Sequence, residues 1–428
     1  MLTRIEIDGF KTFADFAIDL GPCTVLLGAN GVGKSNLLDA IELLARLATR
    51  EAAEAMALRG APLALFRHTP AGHSPRIRLA AEVLVDPPVR DPWGNEGTLS
   101  HTRLRYELTL ERRERCPGVD CVQVLREAVM PIPRRRDRWA AAARGSPALR
   151  ARPLQYGRRT PLLSTEDGAD GSAFRIHADG GPDRRLPAHA AGMTVLGSVR
   201  SAEYPHLYAL REAMRHWRRL QPEPSRMRDP VPVGVPDQLA ADGANLAAVL
   251  ATLKAETASP TQPLGVLGDI AAALGQLIPE VAALDVERGA GRGAFQLSLS
   301  LHDGQSVTAA ALSDGTLRLL ALLTLLHDPR QRGLVCIEEP ERQVYPRLLG
   351  LLGEQLRDHT LRGGQVLSCT HSTDFLNAAA LDEVCMLSRR DGPTRLRRAS
   401  EDPQVRAYLD AGDSLGPLWR QGFLDEAG

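Results

Sequence analysis

Eight consecutive residues constrain this 428-residue chain more than any others: Gly28, Ala29, Asn30, Gly31, Val32, Gly33, Lys34 and Ser35 spell G-x-x-x-x-G-K-S. The apolar run CTVLLG leads into them, and SNLLDAIELLARLATREAAEAMAL follows, with apolar positions recurring every three or four residues. The motif therefore falls between a buried strand and a helix, which is the context a phosphate-binding loop requires. Glycines let backbone N–H groups turn inward around β- and γ-phosphates, at the positive end of the following helix. Lys34 supplies a point charge to those phosphates, and the Ser35 hydroxyl a ligand to Mg²⁺. Only three of the 52 Lys and Arg residues are lysines, Lys11, Lys34 and Lys254, and one of them stands in this loop.

Kinases, GTPases and several kinds of ATPase share such a loop, so the second half of the chain has to discriminate. LVCIEE, from Leu334 to Glu339, is an apolar strand ending in two carboxylates. Alone, the pair reads as solvated charge at a strand end. Beside the upstream loop, Glu338 takes the place of the Mg²⁺-associated acid, and Glu339 is positioned to polarise the water attacking the γ-phosphate. LSDGT, from Leu312 to Thr316, opens an apolar helix and by itself is a helix cap. His371 follows the strand QVLSCT.

GFKTF at Gly9 to Phe13, GANGVGKSN at Gly28 to Asn36, LSDGT, IEEPE at Ile337 to Glu341 and THS at Thr370 to Ser372 span nearly the whole chain. In order and placement they resemble the ABC-class ATPases of the RecF, SMC and OLD type, specifically the compact bacterial AAA-family ATPases related to OLD proteins. The resemblance implies an α/β fold, an ABC-type P-loop ATPase with a mixed or parallel central sheet, an antiparallel β-subdomain and a helical insertion. It implies ATP and Mg²⁺ as cofactors, with Gly28 to Asn36 binding nucleotide, Ser35 and Glu338 holding the metal, and Lys34, Glu339 and His371 catalytic. Ser313 and Gly315 would face the γ-phosphate bound by a second copy, so that a homodimer sandwiches ATP; a helix start with unpaired N–H groups suits that role. Tyr345 stands where relatives often have a histidine, and Thr373 where proline is common. The Mg²⁺-sensing glutamine is unplaced, with Gln123 and Gln155 both open. Lys11 and Phe13 sit where relatives place residues near the nucleotide, although Phe10 and Phe13 read equally as core.

Elsewhere, LTRIEIDGF and FADFAIDL alternate as an antiparallel pair, and RIRLAAEVLVD, TRLRYELTLERR and CVQVLREAVM continue as strands. Residues from about Pro131 to Pro187, rich in Arg, Pro, Gly and Asp without clear periodicity, predict a loop or a partly disordered region. Helices follow, then alternating strands and helices that indicate a parallel sheet. The expected divisions are an N-terminal ATPase lobe at 1–130, a loop and helical insertion at 131–290, and a C-terminal ATPase lobe at 291–428. Formal net charge is zero, so no global field draws the chain to nucleic acid or lipid, yet Arg103 to Arg159 holds fifteen arginines against six acids. That surplus makes DNA a candidate partner, with a solvated arginine-rich loop as the alternative. Cys116 and Cys121 bracket a turn without a second Cys/His pair; the first residues, MLTRIEIDGF, carry charge where a secretory signal needs its apolar stretch, and the most apolar run, Leu317 to Leu326, contains Arg318 and is far short of a bilayer span, which predicts a cytoplasmic protein and no membrane.

The functional expectation is an ATP-driven dimerising switch in anti-phage defence with a separately encoded effector, Toprim-like or other, because only 57 residues (428 − 371) follow His371. A RecF-like DNA-repair ATPase, a transporter nucleotide-binding subunit and a non-hydrolysing scaffold are the alternatives. The transporter reading is weakened by the 277 positions (312 − 35) between the phosphate loop and LSDGT, the segment that the resemblance makes the signature.

Overall fold

Alternation at the N-terminus folds as it reads. In the strand Leu2–Asp8, Ile5 and Ile7 face inward and Arg4, Glu6 and Asp8 outward, and the strand pairs antiparallel with Phe16–Asp19 in a register that sets Ile5 beside Ile18 and Ile7 beside Phe16. The computed structural model describes all residues except 58–59, 71, 117–118, 143–151, 169–170, 179–181, 237, 290–292 and 425–428. They form two compact units, one of residues 1–217 with 385–401, the other of 218–384 with 402–428.

The first unit is built on an eight-stranded antiparallel sheet. From one edge its strands are Arg184–Pro187, Gly171–Ile176, Leu163–Gly168, Val119–Pro131, Arg103–Cys116, Arg76–Leu84, Leu2–Asp8 and Phe16–Asp19. Three of these strands lie in the stretch expected to be loop. There Leu163, Phe174 and Ile176 are buried, and the short apolar alternation they carry is masked in the sequence by surrounding Arg, Gly and Asp. Cross-strand ion pairs such as Arg105 with Glu6 at 2.7 Å cover the outer face. The turn at 117–118 and the Cys116 side chain, one half of the cysteine pair, lie outside the described residues.

Also in this unit, the buried strand Cys23–Leu27 leads through the glycine loop into the helix Lys34–Leu47. One continuous helix reaching Leu58 was the expectation; instead it stops at Leu47 and a short helix, Ala52–Met56, follows. Between them the Thr49 hydroxyl joins the Thr49 and Arg50 N–H groups on Arg46 O, and Ala52 N donates to Gly192 O at 2.7 Å in place of a helical carbonyl.

The second unit holds three parallel strands, Arg218–Leu220, Leu334–Glu338 and Gln365–Cys369, in that order. Strand Leu334–Glu338 is buried up to its last residue, as expected for a parallel strand covered on both faces. An antiparallel group, Val281–Arg288 with Ala294–Leu301 and its neighbours, lies beside the helices Leu246–Thr257 and Val266–Leu277. The apolar helix Asp314–His327 begins at the LSDGT segment.

Candidate functional site

The phosphate loop belongs to the first unit, and its shape comes from its glycines. Gly28, Gly31 and Gly33 have φ of 142°, 81° and 118°, a region that favours glycine. At Gly28 a Cβ would run into the Leu387 carbonyl, and at Gly33 into the Thr394 and Thr12 hydroxyls. Ala29, Asn30 and Gly31 form the exposed tip, while Val32, Gly33 and Lys34 are buried and Ser35 and Asn36 half-buried. The Lys34 ammonium curls back onto the loop, donating to Gly28 O at 2.6 Å and Ala29 O at 2.9 Å. No acidic residue occupies the first turn of the helix that follows, so its positive end is left for an anion.

Residues that the motif does not contain hold this loop in place. Asn36 Nδ2 donates to the Thr12 hydroxyl at 3.0 Å, the Thr12 and Thr394 hydroxyls lie 2.8 Å apart, and Thr394 Oγ1 donates to Val32 O at 2.6 Å. Lys11 forms an ion pair with the buried Asp39 of the loop's helix. Phe10 and Phe13 are fully buried, which makes them core.

Glu338, Glu339 and His371 belong to the second unit, at the ends of adjacent parallel strands. Glu338 accepts from Arg219 Nη2 at 2.5 Å, an arginine whose side chain is 3% exposed. Glu339 is half-buried with φ 49°, and its N–H donates to Cys369 O at 2.8 Å. Glu341 Oε1 accepts from the Thr370 hydroxyl at 2.7 Å and from His371 N at 2.9 Å, fixing the start of the histidine loop.

Ser313 caps the Asp314–His327 helix, its hydroxyl accepting from Thr316 N at 3.1 Å. Arg228 grips the turn before that helix, donating to Leu312 O at 2.5 Å and pairing with Asp314. Gln343, with φ 63°, accepts from Arg318 Nε at 2.7 Å, and its carbonyl lies where a Cβ on Gly315 would be. Burial, with Arg342 nearby, lowers the pKa of the Arg318 guanidinium. Arg219, Arg228, Gln343 and Thr394 went unseen in the sequence because each acts across a long separation or outside a motif; Glu341 stands in IEEPE, but its reach across 30 positions to His371 carries no local signal.

Neither candidate glutamine is marked by its surroundings: Gln123 donates its amide to Ala188 O at 2.8 Å, and Gln155 sits beside Thr102. Much of the arginine surplus is satisfied internally, Arg103 by Asp137, Arg112 by Asp120 and Arg126 by Asp167. A 510 Å³ cavity on the outer face of the eight-stranded sheet is lined by Glu6, Asp8, Arg78, Arg105 and Glu107. Those charges pair with one another, and the phosphate loop is not among its walls. Among the described residues no helix is long and apolar enough to cross a membrane.

Residues 23–377 match the family model described as "AAA domain, putative AbiEii toxin, Type IV TA system". Over 69 residues the chain is 42% identical to the DNA replication and repair protein RecF of Paenarthrobacter aurescens (strain TC1), a match spanning 15% of this chain and 17% of that protein. The crystal structure of an SmcHead bound to the C-winged helix domain of ScpA aligns over 92% of this chain and 96% of its own, with a TM-score of 0.51 at 14% identity. An Smc head domain with an extended coiled coil, bound to the C-terminal domain of ScpA and derived from Pyrococcus furiosus, aligns over 96% and 99% with a TM-score of 0.49 at 12% identity. The first of these likenesses shows the ABC-type P-loop fold. Matched by its model over well more than half its length, the chain belongs to this AAA-domain family, with the fold of an Smc head and a short stretch similar to RecF.

Proposed function

We propose that the chain is a cytoplasmic ATP-hydrolysing switch that closes as a homodimer around two ATP molecules and opens on hydrolysis. The observation that carries this reading is the phosphate loop: three left-handed glycines, a lysine directed at the loop's own carbonyls, and a helix start without a competing acid. ATP would replace the carbonyls of Gly28 and Ala29 as the partner of Lys34. The Ser35 hydroxyl and the Glu338 carboxylate are the hard oxygen donors that Mg²⁺ takes; bound there, it would neutralise charge on the β- and γ-phosphates. Glu339 would take the proton of the attacking water and His371 would face the γ-phosphate, while Ser313 and Gly315 of the second copy complete the site. A separately encoded effector, Toprim-like or other, would read the open and closed states in anti-phage defence.

The test measures ATP binding, oligomeric mass and phosphate release together. Glu339→Gln should bind ATP, stay dimeric and lose turnover by roughly 10² or more, whereas Lys34→Ala should neither bind nor dimerise. Wild-type turnover in both variants would sink the reading.

A second reading, DNA repair in the manner of RecF, is favoured by one surface. Arg134, Arg135, Arg136 and Arg138 are exposed, while the one acid among them, Asp137, is turned inward to Arg103, the Tyr156 hydroxyl and Ala140 N. Four guanidinium groups are thus left facing solvent without their sequence neighbour's charge. Turnover stimulated by duplex DNA, with affinity falling as salt rises, would move the proposal to this reading.

A further inference from the structure

We propose that Glu341 is a positioning residue that clamps the switch-histidine loop to the catalytic-carboxylate loop, so that Glu339 and His371 keep one geometry. This rests on the hydrolytic reading above. Three hydrogen bonds join the segments in register: Glu339 N to Cys369 O at 2.8 Å, the Thr370 hydroxyl to Glu341 Oε1 at 2.7 Å, and His371 N to the same oxygen at 2.9 Å. The Thr370 hydroxyl also accepts from Ser372 N at 2.9 Å, which carries the restraint to the far side of the histidine. On the carboxylate side, Arg342 N donates to Glu339 O and Val344 N to Glu341 O, at 2.9 and 3.0 Å, winding residues 339–344 into a tight turn.

Two features show that the clamp carries cost as well as contact. Glu339 and Gln343, neither a glycine, are held at φ 49° and 63°, a strained backbone that persists only where its surroundings impose it. Glu341 Oε2 is buried and receives no hydrogen bond among the described residues. A glutamate used only to accept two bonds through one oxygen could have been a glutamine; a carboxylate here gives Oε1 the negative charge that strengthens both bonds.

That asymmetry designs the experiment. In Glu341→Gln the amide oxygen can take the place of Oε1, and the NH₂ group falls where Oε2 has no donor to lose. Glu341→Ala removes both bonds, and Thr370→Val removes one. ATP affinity, kcat and KM, and hydrogen exchange at the His371 amide are measured on the full chain, with thermal melting as the check on folding. Glu341→Ala should lower kcat about tenfold with KM and ATP affinity within about twofold, and speed exchange at His371; Thr370→Val should fall between, and Glu341→Gln should recover most of the rate and the protection. Unchanged kcat in Glu341→Ala, or a parallel loss of ATP affinity, would overturn the proposal. A wild-type chain that binds ATP without turnover would refute hydrolysis instead, and exchange then decides the clamp: equal protection of His371 in wild type and Glu341→Ala overturns it, and faster exchange in Glu341→Ala upholds it.

Discussion

The phosphate loop of the first unit and the signature and carboxylate loops of the second are shaped by different means. In the former the backbone sets the shape, Gly28, Gly31 and Gly33 all having positive φ, and the Thr12 and Thr394 side chains hold it in place. In the latter, side chains impose the shape, through Arg228 on the turn before Asp314, Gln343 between Asp314 and Arg318, and Glu341 on the histidine loop. Gly315 illustrates the contrast, since it sits in a regular helix and a Cβ there would meet the Gln343 carbonyl of the adjoining loop. A backbone-shaped loop is ready for its ligand at all times, whereas a side-chain-shaped one can be re-aimed by loosening a few contacts. On the function proposed above, the first suits binding and the second suits switching.

Gly33→Ala attacks the backbone side of this contrast and should have the largest effect. A Cβ at φ 118° would meet Thr394 Oγ1 at 2.5 Å and Thr12 Oγ1 at 2.9 Å, and strain adds to the collision. ATP affinity should fall by about a thousandfold, ~4 kcal/mol. Gly31 supplies the control: its φ is 81°, but among the described residues nothing lies within 4 Å of a Cβ there, so Gly31→Ala should cost only about 1 kcal/mol. Equal losses in a nucleotide titration would mean that packing around Gly33 contributes nothing.

The first unit does contain one strong side-chain brace, and it titrates. Glu127 is fully buried, accepting from Leu196 N at 2.9 Å, Val195 N at 2.5 Å and the Tyr106 hydroxyl at 3.1 Å, and burial pushes its pKa up from 4.5 to about 7. Because the folded state holds this proton more tightly than the unfolded chain, the stability it confers is complete below about pH 4.5 and is lost as pH rises to about 7, a change of about 3 kcal/mol. Chemical denaturation at several pH values should show that decline, and Glu127→Gln should flatten it. A decline of the same slope in the variant would assign it to other groups.

The same contrast decides what could be read without coordinates. Glycine spacing, the Ser313 cap and the two carboxylates at a strand end are local patterns, so the phosphate loop and the order of the motifs were legible. Thr394 reaches Val32 across 362 positions, Arg219 reaches Glu338 across 119, and Arg228 reaches Asp314 across 86. No periodicity announces such pairings, because only the folded topology brings the partners together. The return of residues 385–401 to the first unit is hidden for the same reason. Composition misled at Arg103 to Arg159 in a related way: counting charges within the window misses Glu6, Asp86 and Asp167, which lie outside it and pair with Arg105, Arg152 and Arg126.

Arg228→Ala tests the side-chain half of the contrast with the smallest expected effect. The guanidinium donates to Leu312 O at 2.5 Å and Ala310 O at 3.2 Å and pairs with Asp314, so it bridges both sides of the Ser313 cap. Arg228 is 29% exposed and Asp314 48%, so solvent screens the pair and its loss should cost only about 1 kcal/mol. If Ser313 and Gly315 serve the nucleotide of the second copy, that cost should appear as several-fold weaker ATP-dependent dimerisation by sedimentation, with nucleotide binding to the single chain unchanged. Arg228→Lys should recover part of the loss, because one ammonium can reach Asp314 or the carbonyls but lacks the planar fork that reaches both. A fall in single-chain ATP affinity as large as the fall in dimerisation would show that the two regions are not separable, and the division between a binding loop made of backbone and a switching loop made of side chains would fail.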